Sequence, residues 1–218
     1  MTHIGSTSAD SLQRCRVEQK KMSSVLIALA FIASVSVPLL VHAEGAPNPL
    51  CAGCHSEDGN SVMPEFPKIA GLDAAYITKQ ITDFKKFKRV SEIMGPMATQ
   101  IQDSEVDALA AYFSKQKRTP GVVTDKNLAA QGQIIYTDGL VNSAVPACSG
   151  CHGEKGEGTD KFPRLAGQHT VYLNTQLLNF KNDVRNNDAK KVMRAITQRM
   201  SEQEMKAAAE YITSLKGE

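Results

Sequence analysis

Two copies of the signature C-x-x-C-H contain the residue types and spacing in this chain that best suit chemistry. The first copy is Cys51-Ala52-Gly53-Cys54-His55, and the second is Cys148-Ser149-Gly150-Cys151-His152. Two thiols at this spacing can form thioether bonds to the two vinyl groups of one haem, and the imidazole that follows can bind the iron. The sequence therefore predicts two covalently attached haem c groups and a one-electron redox function.

Other chemistry of paired cysteines explains the two signatures less well. A structural zinc site would need a fourth ligand near each copy, and none lies close by. A redox-active dithiol is typical of a βαβ setting, whereas the sequence around both copies is helical and turn-like. Zinc and disulfide bonds are the alternatives, and both leave the two histidines without a role.

The N-terminal region has the order of a secretory signal peptide. Lys20 and Lys21 precede an apolar run over residues 25–41, and small residues follow before Glu44. This order predicts a signal peptide over residues 1–43, cleavage after Ala43 and a periplasmic location. The alternative is retention of the run as a membrane anchor, because its length is at the short limit for a span.

The chain that would remain after cleavage has a balanced charge. The full sequence carries a formal net charge of +2, and loss of residues 1–43 would leave equal numbers of acidic and basic side chains. Cleavage would also remove Cys15, so that every remaining cysteine lies in a signature. Without an excess of basic residues, the chain is not expected to bind nucleic acid.

A repeat extends well beyond the two signatures. Residues 66–71 read F-P-K-I-A-G and residues 162–167 read F-P-R-L-A-G, at an offset of 96. Further pairs follow at offsets of 96 and then 99: Tyr76 and Tyr172, Gln80 and Gln176, Phe84 and Phe180, Met94 and Met193, Tyr112 and Tyr211. These ordered matches indicate two copies of one module. A bound haem would help to stabilise modules of this small size.

The hydrophobic periodicity predicts an all-α fold. Ser104 and Ser201 stand before acidic residues, so we expect each to cap a helix. The predicted helices cover residues 76–87, 104–115, 128–136, 172–182 and 201–215.

The predicted domains follow from the repeat and from a break in the helical pattern. Thr119-Pro120-Gly121 interrupts the periodicity and indicates a connection between modules. The predicted boundaries are residues 44–118 for the first haem c domain, 119–127 for the linker and 128–218 for the second haem c domain.

Met94 and Met193 are the predicted second axial ligands of the two irons. A thioether opposite the histidine completes the iron coordination and raises the potential. Four other methionines compete, and any single methionine is more often a core residue than a ligand. Only Met94 and Met193 match each other across the repeat; the rivals are Met63, Met97, Met200 and Met205.

Pro67 and Pro163 follow the two ligand histidines by 12 and 11 residues. A carbonyl group at these positions could accept the ring N–H of the histidine and fix its tautomer, as is usual for metal-bound histidines. His169 has no counterpart in the first module, where Asp73 takes its place, and a solvated loop position is expected for it. The repeated tyrosines and phenylalanines are expected to pack in the core or at the haem edge.

Together these features resemble the two-haem cytochrome c4 family. The resemblance covers residues 50–216 and rests on the tandem signatures, the paired F-P-[KR]-[IL]-A-G segments, the Tyr-x3-Gln-x3-Phe helices and the late methionines. It implies two class I cytochrome c domains related by pseudo-twofold symmetry. By this resemblance, Cys51 and Cys54 attach the first haem, and His55 and Met94 bind its iron. The second set is Cys148, Cys151, His152 and Met193.

The resemblance also implies a function and partners. Members of the family carry electrons in the periplasm, and the implied partners are a cytochrome bc-type donor and a terminal oxidase or other reductase. The alternatives are a dihaem peroxidase or reductase, which needs an open iron site, and a subunit of a membrane complex. Because the paired methionines argue against an open site, no enzyme activity is expected.

The first module departs from the family pattern at its start. Only residues 44–50 separate the predicted cleavage site from Cys51, and Pro47 and Pro49 argue against a helix in this stretch. Either the first module lacks its usual N-terminal helix, or the cleavage site lies further upstream. In the first case, the first haem is expected to be more exposed than the second, and its midpoint potential to be lower.

Overall fold

The computed structural model describes residues 48–218. The predicted signal peptide, its cleavage site and the apolar run over residues 25–41 lie outside the described residues. Within residues 48–218, no helix combines the length and the hydropathy needed to cross a bilayer. Apart from one isolated bridge between Leu140 and Val145, this part of the chain forms helices and loops, which confirms the all-α prediction.

Module one contains four helices within the described residues. The bounds are α1 Pro49–His55, α2 Ala74–Lys85, α3 Met94–Thr99 and α4 Asp103–Ser114. Helices α2 and α4 pack their apolar faces together, with Ile81 and Phe84 facing Leu109 and Phe113 in one buried cluster. This core lies beneath the helix that carries the first signature, because Leu50 and Cys51 also pack against it.

Module two repeats this order and adds a helix before it. The bounds are α5 Lys126–Asp138, α6 Ser149–His152, α7 Thr170–Lys181, α8 Val192–Thr197 and α9 Glu202–Ser214. Two short 3-10 turns, Val141–Ser143 and Ala189–Lys191, precede α6 and α8. The added helix α5 crosses α9 closely at Gly132, where a Cβ atom would lie 1.9 Å from the Ala207 carbonyl oxygen. Glycine is thus required for the two backbones to meet.

The predicted helices are present, with ends that differ by a few residues from the predicted ones. Ser201 caps α9 as expected, since its hydroxyl accepts the Glu204 N–H at 3.3 Å. The same expectation for Ser104 is wrong, because α4 already begins at Asp103. There, Glu105 accepts the Gln102 N–H at 3.0 Å and satisfies a free donor at the helix start.

The expectation that no helix would form before Cys51 is also wrong in part. Helix α1 begins at Pro49, two residues before the first cysteine, and Asn48 caps it by accepting the Leu50 N–H at 3.0 Å. Proline fits this position because the first turn of a helix does not use its N–H groups. The chain from residue 115 to residue 125 forms no helix, and the predicted domain boundaries stay a prediction.

Candidate haem sites

Each signature lies on a short helix that ends at its histidine. Helix α1 carries the whole first signature, and α6 carries the second except for Cys148, which is the N-cap residue of that helix. The four signature cysteines are half-buried and form no disulfide bond, so the disulfide alternative is wrong. One helical turn therefore presents two free thiols and one imidazole together in each module.

The histidines at the ends of these helices are buried and are held by proline carbonyl groups. His55 Nδ1 lies 2.8 Å from the Pro67 carbonyl oxygen, and His152 Nδ1 lies 2.9 Å from that of Pro163. A carbonyl only accepts hydrogen bonds, so Nδ1 carries the proton in both rings and donates it. The lone pair then resides on Nε2, which makes no hydrogen bond within residues 48–218. The structure confirms the predicted second partner of both histidines.

A glycine in each module fixes the proline carbonyl in place. The Gly59 carbonyl accepts the N–H groups of Ile69 and Ala70 at 2.8 and 3.0 Å, which ties the F-P-K-I-A-G segment to the loop after His55. Gly59 has φ +75°, and a Cβ atom there would lie 2.8 Å from the Ala70 nitrogen. Gly156 makes the equivalent pair of hydrogen bonds in module two.

The environment of both histidines favours the neutral imidazole. Burial lowers the pKa of His55, and the hydrogen bond to Pro67 only partly offsets this effect. Burial lowers the pKa of His152 in the same way. A neutral ring with a free Nε2 is the form that binds a metal.

The two matched methionines occupy equivalent places. Met94 is the first residue of α3, and Met193 is the second residue of α8; both are half-buried. Among the rivals, Met200 and Met205 lie in the core of module two, with 3% and 0% of their surface exposed. Met63 is 40% exposed. Met200 and Met205 thus have the core positions that most methionines occupy, and the choice of Met94 and Met193 as ligands stays a prediction.

A buried polar network that sequence reasoning missed joins the two modules. Arg89 of module one donates to the hydroxyl of Tyr172 at 3.0 Å and to Oε1 of Gln176 at 2.8 Å. Arg185 of module two donates to the hydroxyl of Tyr76 at 3.0 Å and to Oε1 of Gln80 at 3.4 Å. Each contact thus has a counterpart with the modules exchanged, which is the expected pseudo-twofold symmetry.

The repeat contained a signal for this network. Arg89 and Arg185 are related by the same offset of 96 as their tyrosine and glutamine partners. The guanidinium groups also stack on the rings of Phe84 and Phe180, at 4.7 and 4.5 Å from the ring centroids. The phenylalanines are core residues as expected, whereas packing alone is an incomplete account of the tyrosines.

A second contact between the modules surrounds Arg118. Its guanidinium is buried and donates to the carbonyl oxygens of Ala70, Ala166 and Lys68, at 2.8, 3.3 and 3.0 Å. Burial lowers the pKa of Arg118 to about 9, with the Arg164 charge adding to this effect, so the group stays charged at neutral pH. Gln168 brackets the Lys68 backbone, accepting its N–H and donating to its carbonyl, both at 2.8 Å.

His169 belongs to this second contact, and the expectation that it is solvated is wrong in part, because its side chain is half-buried. Its Nε2 donates to the Ser61 carbonyl oxygen of module one at 2.9 Å. Burial lowers its pKa, and the hydrogen bond to Ser61 acts in the opposite direction. The residue is unmatched in module one because it serves the contact between modules rather than the repeat.

The residues present fit two covalently bound haem groups. Each module offers two unpaired thiols on one helical turn and a neutral imidazole with Nε2 available, which is the donor set of a c-type haem. Within the part of the chain that the structure describes, no three histidine, cysteine or acidic side chains are grouped so that they could hold a metal ion by themselves.

Comparison with known proteins agrees with this donor set. The family model described as cytochrome c matches the chain twice, over residues 47–117 and 129–216. Cytochrome c4 of Thiocapsa roseopersicina is 43% identical over 175 residues, which cover 79% of this chain and 90% of the relative. A thiosulfate dehydrogenase electron acceptor of Stutzerimonas stutzeri is 35% identical over 182 residues, covering 80% of this chain and 84% of the relative.

A solved structure has the same fold over most of the chain. The crystal structure of reduced recombinant cytochrome c4 from Pseudomonas stutzeri superimposes with a TM-score of 0.73 and 36% identity, over 76% of this chain and 93% of that one. Two matches to one domain model and a shared dihaem fold account for the whole repeat. The chain therefore belongs to the two-haem cytochrome c4 family and is a dihaem c-type cytochrome that carries electrons.

Proposed function

We propose that this cytochrome carries single electrons in the periplasm, from a cytochrome bc-type donor to a terminal oxidase or another reductase. The observation that carries the proposal is the duplicated hydrogen bond from His55 to Pro67 and from His152 to Pro163, at 2.8 and 2.9 Å. Because the histidine and its carbonyl acceptor are nearly identical in the two modules, the two sites are better suited to the same electron-transfer reaction than to two different reactions.

In this proposal each module holds its haem by the same four side chains. Cys51 and Cys54 attach the first haem, and His55 and Met94 bind its iron; Cys148, Cys151, His152 and Met193 do the same for the second. Bound haem supplies an iron that gains and loses one electron. The protein's part is to keep both axial ligands in place, so that little rearrangement accompanies the transfer.

The proline carbonyls tune this chemistry. A hydrogen bond from Nδ1 makes Nε2 a stronger donor and fixes the orientation of the ring. Because Gly59 and Gly156 anchor both proline segments by paired backbone hydrogen bonds, the acceptor of each histidine ring is held in place. A thioether ligand from Met94 or Met193 would raise the potential of the iron.

Substitution of the two methionines tests the ligand assignment. Met94→Ala and Met193→Ala should each remove half of the thioether-to-iron absorption band at the red edge of the oxidised spectrum. Met63→Ala is the matched control, since Met63 is 40% exposed and should leave the band unchanged. A full band in Met94→Ala, or a loss in the control, would contradict the assignment.

The same variants test the proposal that the protein is a carrier and not an enzyme. With both methionines in place, both irons are six-coordinate and should turn over peroxide slowly. Met94→Ala and Met193→Ala should gain peroxidase activity, because each opens one site. High activity in the unaltered protein would favour a dihaem peroxidase instead.

The relative named as a thiosulfate dehydrogenase electron acceptor supports a second candidate for the donor. In this version, electrons reach the cytochrome from an enzyme that oxidises thiosulfate. Mixing the oxidised cytochrome with a thiosulfate dehydrogenase and thiosulfate, and with a reduced bc-type complex in a separate sample, decides between the donors by the rate of haem reduction.

The periplasmic location rests on the N-terminal sequence. Mass spectrometry of the exported chain should find Glu44 as its first residue together with two haem masses. A mature chain that still contains residues 25–41 and partitions into detergent would favour the anchored form.

A further inference from the structure

An exposed apolar and basic loop follows α2 in module one. We call residues 86–93 the 86–93 loop. Phe87, Val90 and Ile93 are 74%, 66% and 54% exposed. Lys86 and Lys88 flank Phe87 in the sequence and are also exposed. Three large apolar side chains exposed in one short loop form an apolar patch, and patches of this kind often mark a contact site.

Phe87 occupies a backbone conformation that does not suit it. It is the second residue after the end of α2 and has φ +55°, in the left-handed region. Glycine or asparagine is favoured there, because a β-carbon approaches the backbone. The chain thus carries an exposed phenylalanine at a position where both the backbone and the solvent disfavour it. Strain of this kind points to a function of the side chain.

The backbone of the loop is nevertheless fixed. The Asp83 carbonyl accepts the N–H groups of Lys88 and Arg89 at 2.8 and 3.1 Å. Arg89 is buried in the network between the modules, which anchors the middle of the loop. The lysines and the phenylalanine are therefore presented on a rigid support, so that little conformational freedom remains to be lost on binding.

Module two differs at the equivalent positions, where Val184 is the exposed apolar residue, with 53% of its surface exposed. At the offset of 96, Phe87 corresponds to Asp183, which has φ +57° and suits that conformation. Asp183 forms an ion pair with Arg194 at 2.5 Å. The remaining equivalents of Lys86, Lys88 and Val90 are Asn182, Val184 and Asn186. The exposed side chains of the 86–93 loop are therefore not a consequence of the repeat.

The charge of the loop indicates the kind of partner. Within residues 48–218, Lys86 and Lys88 have no carboxylate at ion-pair distance, whereas Lys85 pairs with Asp103. Glu92 is the acidic residue of the loop, so the local balance is basic. Two lysines are few for attraction to an anionic membrane, which usually involves four to eight basic residues. An apolar centre with a basic rim matches a protein with an apolar centre and an acidic rim.

We propose that the 86–93 loop docks an acidic redox protein that gives electrons to module one. Phe87 is the apolar anchor of the contact, and Lys86 and Lys88 steer the encounter. The loop leads directly into Met94, the proposed iron ligand of this module. A partner bound to the loop would therefore lie near the residues proposed to hold the first haem. The inference deepens the proposed function and rests on it.

Stopped-flow reduction of the oxidised holoprotein tests the docking surface. The probe is reduced flavodoxin, an acidic protein in which the flavin loses one electron and one ferric haem gains it. At low ionic strength, Phe87→Gly should weaken the complex about tenfold, as expected for a phenylalanine that is buried on binding. The double variant Lys86→Glu with Lys88→Glu should lower the association rate constant about tenfold or more.

A cationic reductant separates docking from damage to the haem site. Hexaammineruthenium(II) should reduce Phe87→Gly at the unaltered rate and should reduce the double lysine variant faster, because two positive charges have been replaced by negative ones. Phe87→Gly should also unfold at the same or a higher temperature, since glycine removes the strain at this position.

Matched variants in module two complete the test. Asp183→Gly, and Lys190→Glu with Lys191→Glu, should leave the flavodoxin rates nearly unchanged. The proposal is overturned if Phe87→Gly reacts like the unaltered protein, if the module two variants slow the reaction as much, or if the loop variants lose binding to anionic vesicles and not to flavodoxin. Reduction of both haems by the ruthenium reagent in all variants shows that the electron-carrier function survives independently.

Discussion

The guanidinium group of Arg89 in module one lies 3.0 Å from the hydroxyl group of Tyr172 in module two. The mirror contact joins Arg185 to Tyr76 at the same distance. Both arginines are 8% exposed, so these hydrogen bonds connect the modules in a place that water barely reaches. These two pairs of side chains act beside the contact around Arg118 and Gln168 to set the relative position of the two haem domains.

Removal of either tyrosine hydroxyl should destabilise the protein. Tyr76→Phe and Tyr172→Phe should each lower the free energy of unfolding by about 1.5–3 kcal/mol, because a buried cation loses a charged hydrogen bond. Denaturant unfolding of the holoprotein measures this change. Tyr112→Phe is the control, since its hydroxyl makes no hydrogen bond within residues 48–218. Equal stability of all three variants would contradict the role given to the network.

Substitution of the glycines behind the axial histidines should have graded effects. Gly59→Ala should destabilise the fold by about 2 kcal/mol or more, because φ is +75° and the new Cβ would lie 2.8 Å from the Ala70 nitrogen. Gly156→Ala should cost less, since its nearest contact is 3.0 Å, to a leucine side chain. Gly53→Ala meets no atom within 4 Å and should be close to neutral. Thermal unfolding with haem bound should rank the variants in this order.

Asp58→Asn should make stability less dependent on pH. Hydrogen bonds from the side chain and the backbone of Asn60 lower the pKa of Asp58 in the folded protein. A carboxyl whose pKa is depressed on folding stabilises the protein above its unfolded pKa, and this contribution disappears as pH falls through the folded pKa.

The difference in unfolding free energy between the unaltered protein and Asp58→Asn should therefore be largest above the unfolded pKa of an aspartate, about 3.9, and should disappear as pH falls below the lowered pKa of the folded protein. Because Asp58 is exposed, solvent screening limits the difference to about 0.5 kcal/mol. Urea unfolding at several pH values measures it, with exposed Glu57→Gln as the control. A difference that grows as pH falls would contradict the sign.

The two haems should titrate at unequal midpoint potentials, with module one lower. In module two, Leu128, Ile135 and Tyr136 of α5 contribute to the buried core, and the described part of module one has no counterpart of that helix. Greater contact with water stabilises the more highly charged ferric form and so lowers the potential. Potentiometric titration should give two waves, and Met94→Ala should shift the lower one. A single two-electron wave would contradict this prediction.

Local chemistry explains why much of the structure was predictable. The spacing of the Cys and His residues is enough to predict a haem. The helices are predicted by the periodic placement of apolar residues such as Ile81 and Phe84 on one helix face. The role of the proline carbonyls was also predictable from the sequence, because a metal-bound histidine usually donates its second ring N–H to an acceptor.

Long-range packing explains what was not predicted. The start of α4 is a local exception: Glu105 accepts the Gln102 N–H three residues away, so the helix begins one residue before Ser104. His169 looked solvated because its acceptor, the Ser61 carbonyl, is 108 residues away. The partners of Arg89 and Arg185 lie 83 to 109 residues away, so only the shared offset of 96 connects these arginines with their tyrosine and glutamine partners in the sequence.

The paired arginines also limit how the chain can be divided. Each guanidinium group donates to acceptors in the other half of the chain. A polypeptide that contains one half alone would therefore expose to solvent an arginine that is buried in the intact protein. Isolated halves are therefore poor surrogates for the intact protein. A chimaera that imports a foreign half needs a tyrosine and a glutamine in register, or the joint between its halves will loosen.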